Sequence, residues 1–110
     1  MFAFLKRLMP AAPLAPADLR ARLAPGDALL DVRTPAEYAG GHLAGAALMD
    51  VMGPDFADRA AGLDPSRTYY LYCRSGNRSA QATEALRALG LDAHNAGGFD
   101  ALARAGFETA

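Results

Sequence analysis

Short apolar runs alternate along this chain with segments whose apolar residues recur at helical spacing, and that alternation constrains the fold most strongly. Residues 28–32 (Ala-Leu-Leu-Asp-Val) are nearly continuous in apolar character, the pattern of a strand buried on both faces of a parallel sheet. Residues 69–72 (Tyr-Tyr-Leu-Tyr) form the clearest strand, preceded by Pro65-Ser66 and followed by a polar loop containing glycine. Residues 46–49 are a weaker candidate, because Ala and Met favour helix, and residues 91–95 supply a last strand. Helices are predicted at residues 16–23, 35–39, 55–63, 79–89 and 99–105, and Gly97-Gly98 reads as a turn. Strands that alternate with helices in this way imply βαβ units, hence a parallel sheet with helices on both faces. In such a sheet the binding site lies at the carboxyl ends of the strands.

A chain of 110 residues is the size of one domain. With 52% hydrophobic residues, 21% charged residues and a net charge of -1, it can bury a core and gives no reason to expect binding to nucleic acid or another polyanion. No apolar run reaches the roughly 18 to 20 residues of a membrane-spanning helix, so no integral membrane segment is expected. Met1, Leu5, Leu8 and Met9 fall at helical spacing, with Lys6 and Arg7 on the other side. The basic pair follows the apolar residues, an order unlike that of a secretory signal. Residues 1–14 are therefore read as an N-terminal extension carrying a short amphipathic helix, and residues 15–110 as the domain. Cys73 is the one cysteine, which rules out an intramolecular disulfide and a Cys-rich zinc module and makes a cytoplasmic setting the expectation.

Cys73 ends the clearest strand and opens Cys73-Arg74-Ser75-Gly76-Asn77-Arg78-Ser79, after which the longest helix begins. A free cysteine is among the most buried residue types, so a packing role is the ordinary reading. The flanking residues point elsewhere. A loop built only to connect has no need of two Arg and two Ser around a Gly at a helix N-terminus. Such a loop curls so that backbone N–H groups face the sulfur, and the helix end adds partial positive charge. Arg74 and Arg78 are expected to lower the thiol further, giving a thiolate nucleophile in an anion-binding loop. Two reactions suit it: attack on phosphorus and attack on the outer sulfur of a sulfur donor. A Cys-X5-Arg phosphatase cradle carries its arginine one residue later, where this chain has Ser79.

The residues Asp31-Val32-Arg33-Thr34-Pro35-Ala36-Glu37-Tyr38 and Gly41-His42-Leu43-Ala44-Gly45-Ala46, the loop from Cys73 to Ser79, and the late pair Gly97-Gly98 occur in an order that resembles the rhodanese family, specifically its single-domain members. The resemblance runs over residues 15–106. A tryptophan common after the glycine pair is absent, with Phe99 and Leu102 in that region. The resemblance implies a five-stranded parallel sheet, so one further strand has to come from the proline-rich segment before Leu19. It also implies a sulfurtransferase: Cys73 attacks thiosulfate or a similar anion, keeps the outer sulfur as a persulfide and passes it to a thiol or to cyanide. Arg74, Ser75, Gly76, Asn77, Arg78 and Ser79 then bind the donor and the persulfide, mainly through backbone N–H groups. No cofactor and no metal are expected. The alternative is a sulfur-relay or persulfide-carrier module with little turnover on small donors. A phosphatase or arsenate reductase on the same cradle is disfavoured by the short loop.

Four further residues stand near the same strand ends. Asp31 and Arg33 can shape the site, but an Arg33–Glu37 ion pair with Asp31 capping the following turn is the favoured reading. His42 is read as a hydrogen-bonded structural residue rather than a general base, since an ionised thiol needs no base to attack sulfane sulfur. His94 lies too far along the chain to form a metal set with His42 and Cys73. Without a second cysteine to resolve a persulfide, the acceptor has to be external, such as a thioredoxin-like protein or glutathione.

Overall fold

The computed structural model describes residues 11–110, so the helix expected in residues 1–9 lies outside the described residues. Four parallel strands form the sheet: β1 (Ala28–Asp31), β2 (Ala47–Leu48), β3 (Thr68–Cys73) and β4 (Asp92–Gly98), in the spatial order β2-β1-β3-β4. Among the described residues five helices accompany them: α1 (Pro16–Arg22), α2 (Pro35–Ala39), α3 (Phe56–Ala61), α4 (Asn77–Ala88) and α5 (Phe99–Arg104). Among the described residues no helix is long and apolar enough to cross a membrane.

The central strand explains the layering. Side chains alternate across a strand, and β3 is buried on both sides: Tyr69, Leu71 and Cys73 join Ala60 of α3 and Ala82 and Leu86 of α4 in one cluster. Tyr70 and Tyr72 join Leu19 of α1 and Leu102 of α5 in the other. Each fully buried Leu of these clusters contributes about 1.5–3 kcal/mol of transfer free energy.

The sheet has four strands among the described residues, not the five that the resemblance implied. The proline-rich segment does run beside β4, but among the described residues Leu14 N–H to Asn95 O at 2.8 Å is its one backbone bond to that strand. Pro13 and Pro16 carry no N–H, which removes donors that a ladder needs.

Two boundaries differ in ways that matter for the site. Gly97 and Gly98 belong to β4 rather than to a turn, because a bulge places Asn95 opposite Leu71 but Gly97 opposite Tyr72, leaving Ala96 as the extra residue. The Asn95 carboxamide oxygen takes the Gly97 N–H at 2.9 Å, which satisfies a donor beside the bulge. The longest helix starts at Asn77, two residues before the predicted 79, since Gly76 at φ 97° turns the loop into it directly. The first turn of α4 is thus part of the cysteine loop.

Candidate active site

Cys73 ends the central strand beside Gly98 of β4 and is fully buried. The loop that follows packs so closely on the end of β4 that a Cβ on Gly98 would stand 2.6 Å from the Arg74 carbonyl oxygen, a contact only glycine avoids. Around the sulfur, the Gly76 N–H donates to Sγ at 3.0 Å and the Ser79 hydroxyl oxygen lies 3.4 Å away. Burial pushes the Cys73 thiol up, but the Ser79 hydroxyl and the N–H groups of Ser79, Ser75 and Gly76 outweigh it, so the thiol lies below its ordinary value.

The two loop arginines stand differently toward the sulfur: Arg78 feels Cys73 but pairs first with a carboxylate. Arg78 is joined to Glu37 of α2 by two parallel bonds, Nη1 to Oε1 at 2.7 Å and Nη2 to Oε2 at 2.9 Å. A guanidinium paired in this fork shares its charge with the carboxylate, so the sulfur meets less of it than it would of a free cation. Glu37 is held to about 2, first by Arg78 and then by the Thr34 N–H and hydroxyl, which it meets in a capping box at the start of α2. Arg74 is exposed and has no carboxylate partner among the described residues. Ser75 and Asn77 are exposed as well, while Gly76 and Ser79 are buried.

The expected Arg33–Glu37 pair is not formed. Arg33 instead meets Asp31, with Nη2 to Oδ2 at 2.6 Å and Nε to Oδ1 at 2.9 Å, because a carboxylate buried at the end of β1 requires the nearest cation. Asp31 also accepts the Arg33 N–H at 3.0 Å, closing the turn after β1. The Tyr72 hydroxyl donates to Asp31 at 2.7 Å and accepts the Leu43 N–H at 2.9 Å, and Arg33 donates to the Gly41 carbonyl at 2.7 Å. Burial pushes the Tyr72 phenol well above its usual range, and the hydrogen bond to Asp31 adds to the rise. The Arg33 guanidinium lies 4.5 Å from the centre of the Phe99 ring, so Phe99 covers this ion pair. His42 stacks on Tyr38 at 3.7 Å between ring centres, its Nδ1 is 3.0 Å from the Tyr38 carbonyl, and its backbone bonds with that of Ala110.

Sequence reasoning missed Asn95, which joins Ser79, Gly76 and Gly97 behind the sulfur. Its signal was available: strand alternation sets the polar Asp92 and His94 on one face of β4 and places the Asn95 amide on the other, with Ala93.

Fold and site together define a small α/β domain with one buried, hydrogen-bonded thiol in a loop at the carboxyl end of a parallel sheet. The Rhodanese-like domain family matches residues 15–105, and the chain belongs to that family. Among solved structures, the rhodanese-related protein of Thermoplasma volcanium has a TM-score of 0.77 at 28% identity, over 89% of this chain and 96% of that one. The crystal structure of the Alr3790 protein of Anabaena has a TM-score of 0.75 at 33% identity, over 86% and 88%. The probable adenylyltransferase/sulfurtransferase MoeZ of Mycobacterium tuberculosis is 37% identical over 83% of this chain. The chain spans 24% of MoeZ and 45% of the uncharacterized protein slr1261 of Synechocystis, which is 36% identical to it over 85 residues.

Proposed function

We propose that residues 15–110 form a sulfurtransferase domain in which Cys73 is the nucleophile and residues 1–14 are an extension of it. The Cys73 thiolate attacks the outer sulfur of thiosulfate or a similar anion. The S–S bond of the donor breaks, sulfite leaves with its electron pair, and the outer sulfur stays on Cys73 as a persulfide. A thiolate acceptor or cyanide then attacks that sulfur and returns Cys73 as a thiolate. The observation that carries this reading is the sulfur held by the Gly76 N–H at 3.0 Å with Ser79 at 3.4 Å, which lowers the thiol despite its burial. Arg74 to Ser79 hold the donor, and Arg74 is the cation there without a carboxylate partner among the described residues. Asp31, Arg33, Glu37 and His42 act by keeping the surrounding loops in place.

These 110 residues hold no second cysteine, so the acceptor thiol lies outside them. A thioredoxin-like protein or glutathione in the cytoplasm has the required chemistry. The likeness to part of MoeZ, whose name pairs sulfur transfer with adenylyl transfer, favours a second reading: a persulfide carrier that serves a partner and turns over small donors slowly.

Thiocyanate formation from thiosulfate and cyanide tests the first reading, with Cys73→Ser expected to abolish it while the fold is kept. Activity retained in folded Cys73→Ser protein would overturn the assignment of the nucleophile. Sulfur that loads on Cys73, seen as a mass gain of one sulfur atom, without turnover would select the carrier.

A further inference from the structure

Asn95 is 1% exposed and all of its hydrogen-bonding positions are occupied. Its Nδ2 donates to the Ala11 carbonyl at 2.9 Å and to the Gly76 carbonyl at 3.1 Å, and its Oδ1 accepts the Gly97 N–H at 2.9 Å and the Ser79 hydroxyl at 2.7 Å. The two carbonyls can only accept and the Gly97 N–H can only donate, so the orientation of the amide is fixed by its neighbours. That in turn fixes the Ser79 bond: the hydroxyl gives its one proton to Asn95. The same hydroxyl oxygen lies 3.4 Å from Cys73 Sγ. A hydroxyl with one proton can accept from a thiol while donating to Asn95, but it can donate to the sulfur only by leaving Asn95.

We propose that Asn95 is a positioning residue that shares the Ser79 proton with Cys73: the proton lies toward Asn95 while the sulfur is a thiol and turns to the sulfur when the thiolate forms. No bond beyond these hydrogen bonds changes, and the thiol proton itself leaves to solvent. The exchange leaves no buried group unpaired, because Asn95 Oδ1 keeps the Gly97 N–H and a thiolate is an acceptor. Asn95 and the thiolate therefore compete for one proton, and Asn95 sets how far the sulfur ionises. The charged groups around the sulfur stay fixed in this exchange. Arg78 of α4 is paired with Glu37 of α2 and also feels Cys73 itself and Asp50, a contribution common to every variant compared below; Arg33 is paired with Asp31 after β1; Arg74 is exposed; and His94 of β4 lies against Tyr70, with Asp92 as its partner. The proposal rests on the reading of Cys73 as the nucleophile, but its test needs no sulfur donor.

The ultraviolet absorbance of the thiolate, followed against pH with Cys73→Ser as the blank, gives the ionisation midpoint. Ser79→Ala is expected to raise that midpoint by about one pH unit, the size of one lost hydrogen bond to a charged group. Asn95→Ala is then measured in the presence of Ser79 and in Ser79→Ala. Loosening of the Gly76 carbonyl affects both backgrounds alike, so their difference isolates the shared proton. With Ser79 present, Asn95→Ala is expected to shift the midpoint lower than it does without Ser79, by about half a unit or more. Equal shifts in the two backgrounds would overturn the proposal. A second readout uses the unsubstituted side chain at 95. The side-chain carbonyl carbon of Asn95, followed by NMR, is expected to titrate with the thiolate midpoint and to lose most of that response in Ser79→Ala. A response absent from the wild type, or undiminished in Ser79→Ala, would also overturn it. If these results hold but no sulfur is transferred, the proposed activity fails and the shared proton stands. Transfer with equal shifts gives the reverse.

Discussion

The Asp31–Arg33 and Glu37–Arg78 pairs join the same two chemical groups at nearly the same distance, 2.6 and 2.7 Å, yet they stand in different surroundings. The Asp31 and Arg33 side chains are 0% and 6% exposed, and those of Glu37 and Arg78 28% and 24%. Removing two charges from water costs several kcal/mol each, and only a complete set of partners offsets that. Asp31 has such a set in Arg33 and Tyr72, and Arg33 also reaches Gly41. The pair therefore joins the ends of β1 and β3 to the loop around Gly41, and no member can be removed alone. Glu37 and Arg78 remain partly in water, where an ion pair adds about 1 kcal/mol at most. What that pair does is orient the first turn of α4 and reduce the positive charge at the mouth of the cysteine loop. Depth, more than geometry, separates a pair that holds the fold from one that sets local charge.

The largest test of that contrast is stability. Asp31→Asn leaves the Arg33 cation buried without its counter-charge and is expected to cost about 3–5 kcal/mol in urea unfolding, a large share of the total for a domain of this size. A cost below about 1 kcal/mol would erase the distinction between the pairs. Next in size is an effect on the donor. Arg78→Ala leaves Glu37 negative beside the loop and is expected to raise KM for thiosulfate about three- to tenfold, whereas Glu37→Gln frees the Arg78 charge and should lower it by a similar factor. Both variants should unfold within about 1 kcal/mol of the wild type. Changes of the same sign would show that the pair acts by shape rather than charge. The smallest effect is on pH. Glu37 is lowered from an ordinary value of 4.5 to about 2, so its contribution is fully present above pH 4.5 and is lost as pH falls toward 2. The stability difference between wild type and Glu37→Gln should shrink across that interval and stay constant above it. A difference unchanged down to pH 2 would mean that the pair does not stabilise the fold through its charge.

Much of this arrangement was legible because it is local. The apolar run of β1, the aromatic run of β3 and the position of Cys73 at a strand end follow from patterns within a few residues, and so does the parallel sheet they imply. What was not legible depends on partners distant in sequence. Arg33 has Glu37 one helical turn away and Asp31 two residues back, and spacing alone favours the former; the choice falls on Asp31 because that carboxylate is buried and Glu37 is drawn to Arg78, 41 residues later. In the same way the sequence showed Arg78 as a free cation for the sulfur, because the carboxylate that shares its charge lies on another element. The fifth strand failed for a related reason: the proline spacing was visible, but how many of the remaining N–H groups find a carbonyl depends on the edge they meet. The bulge at Ala96, which turns a glycine pair from a turn into a strand end, leaves no mark in the sequence besides Asn95.

Cys73 is 0% exposed, and this has a consequence for chemical labelling that differs from the consequence of its ionisation. Reactivity of a thiol is the product of the fraction present as thiolate and the fraction of approaches that reach the sulfur. The cradle raises the first factor and burial lowers the second. Slim reagents whose reacting atom stands at the end of a narrow stem will register an activated thiol, while broad ones will register an inert residue. A survey with a bulky probe would therefore miss this sulfur, and the ratio of rates for a small and a large reagent measures the width of the opening above it.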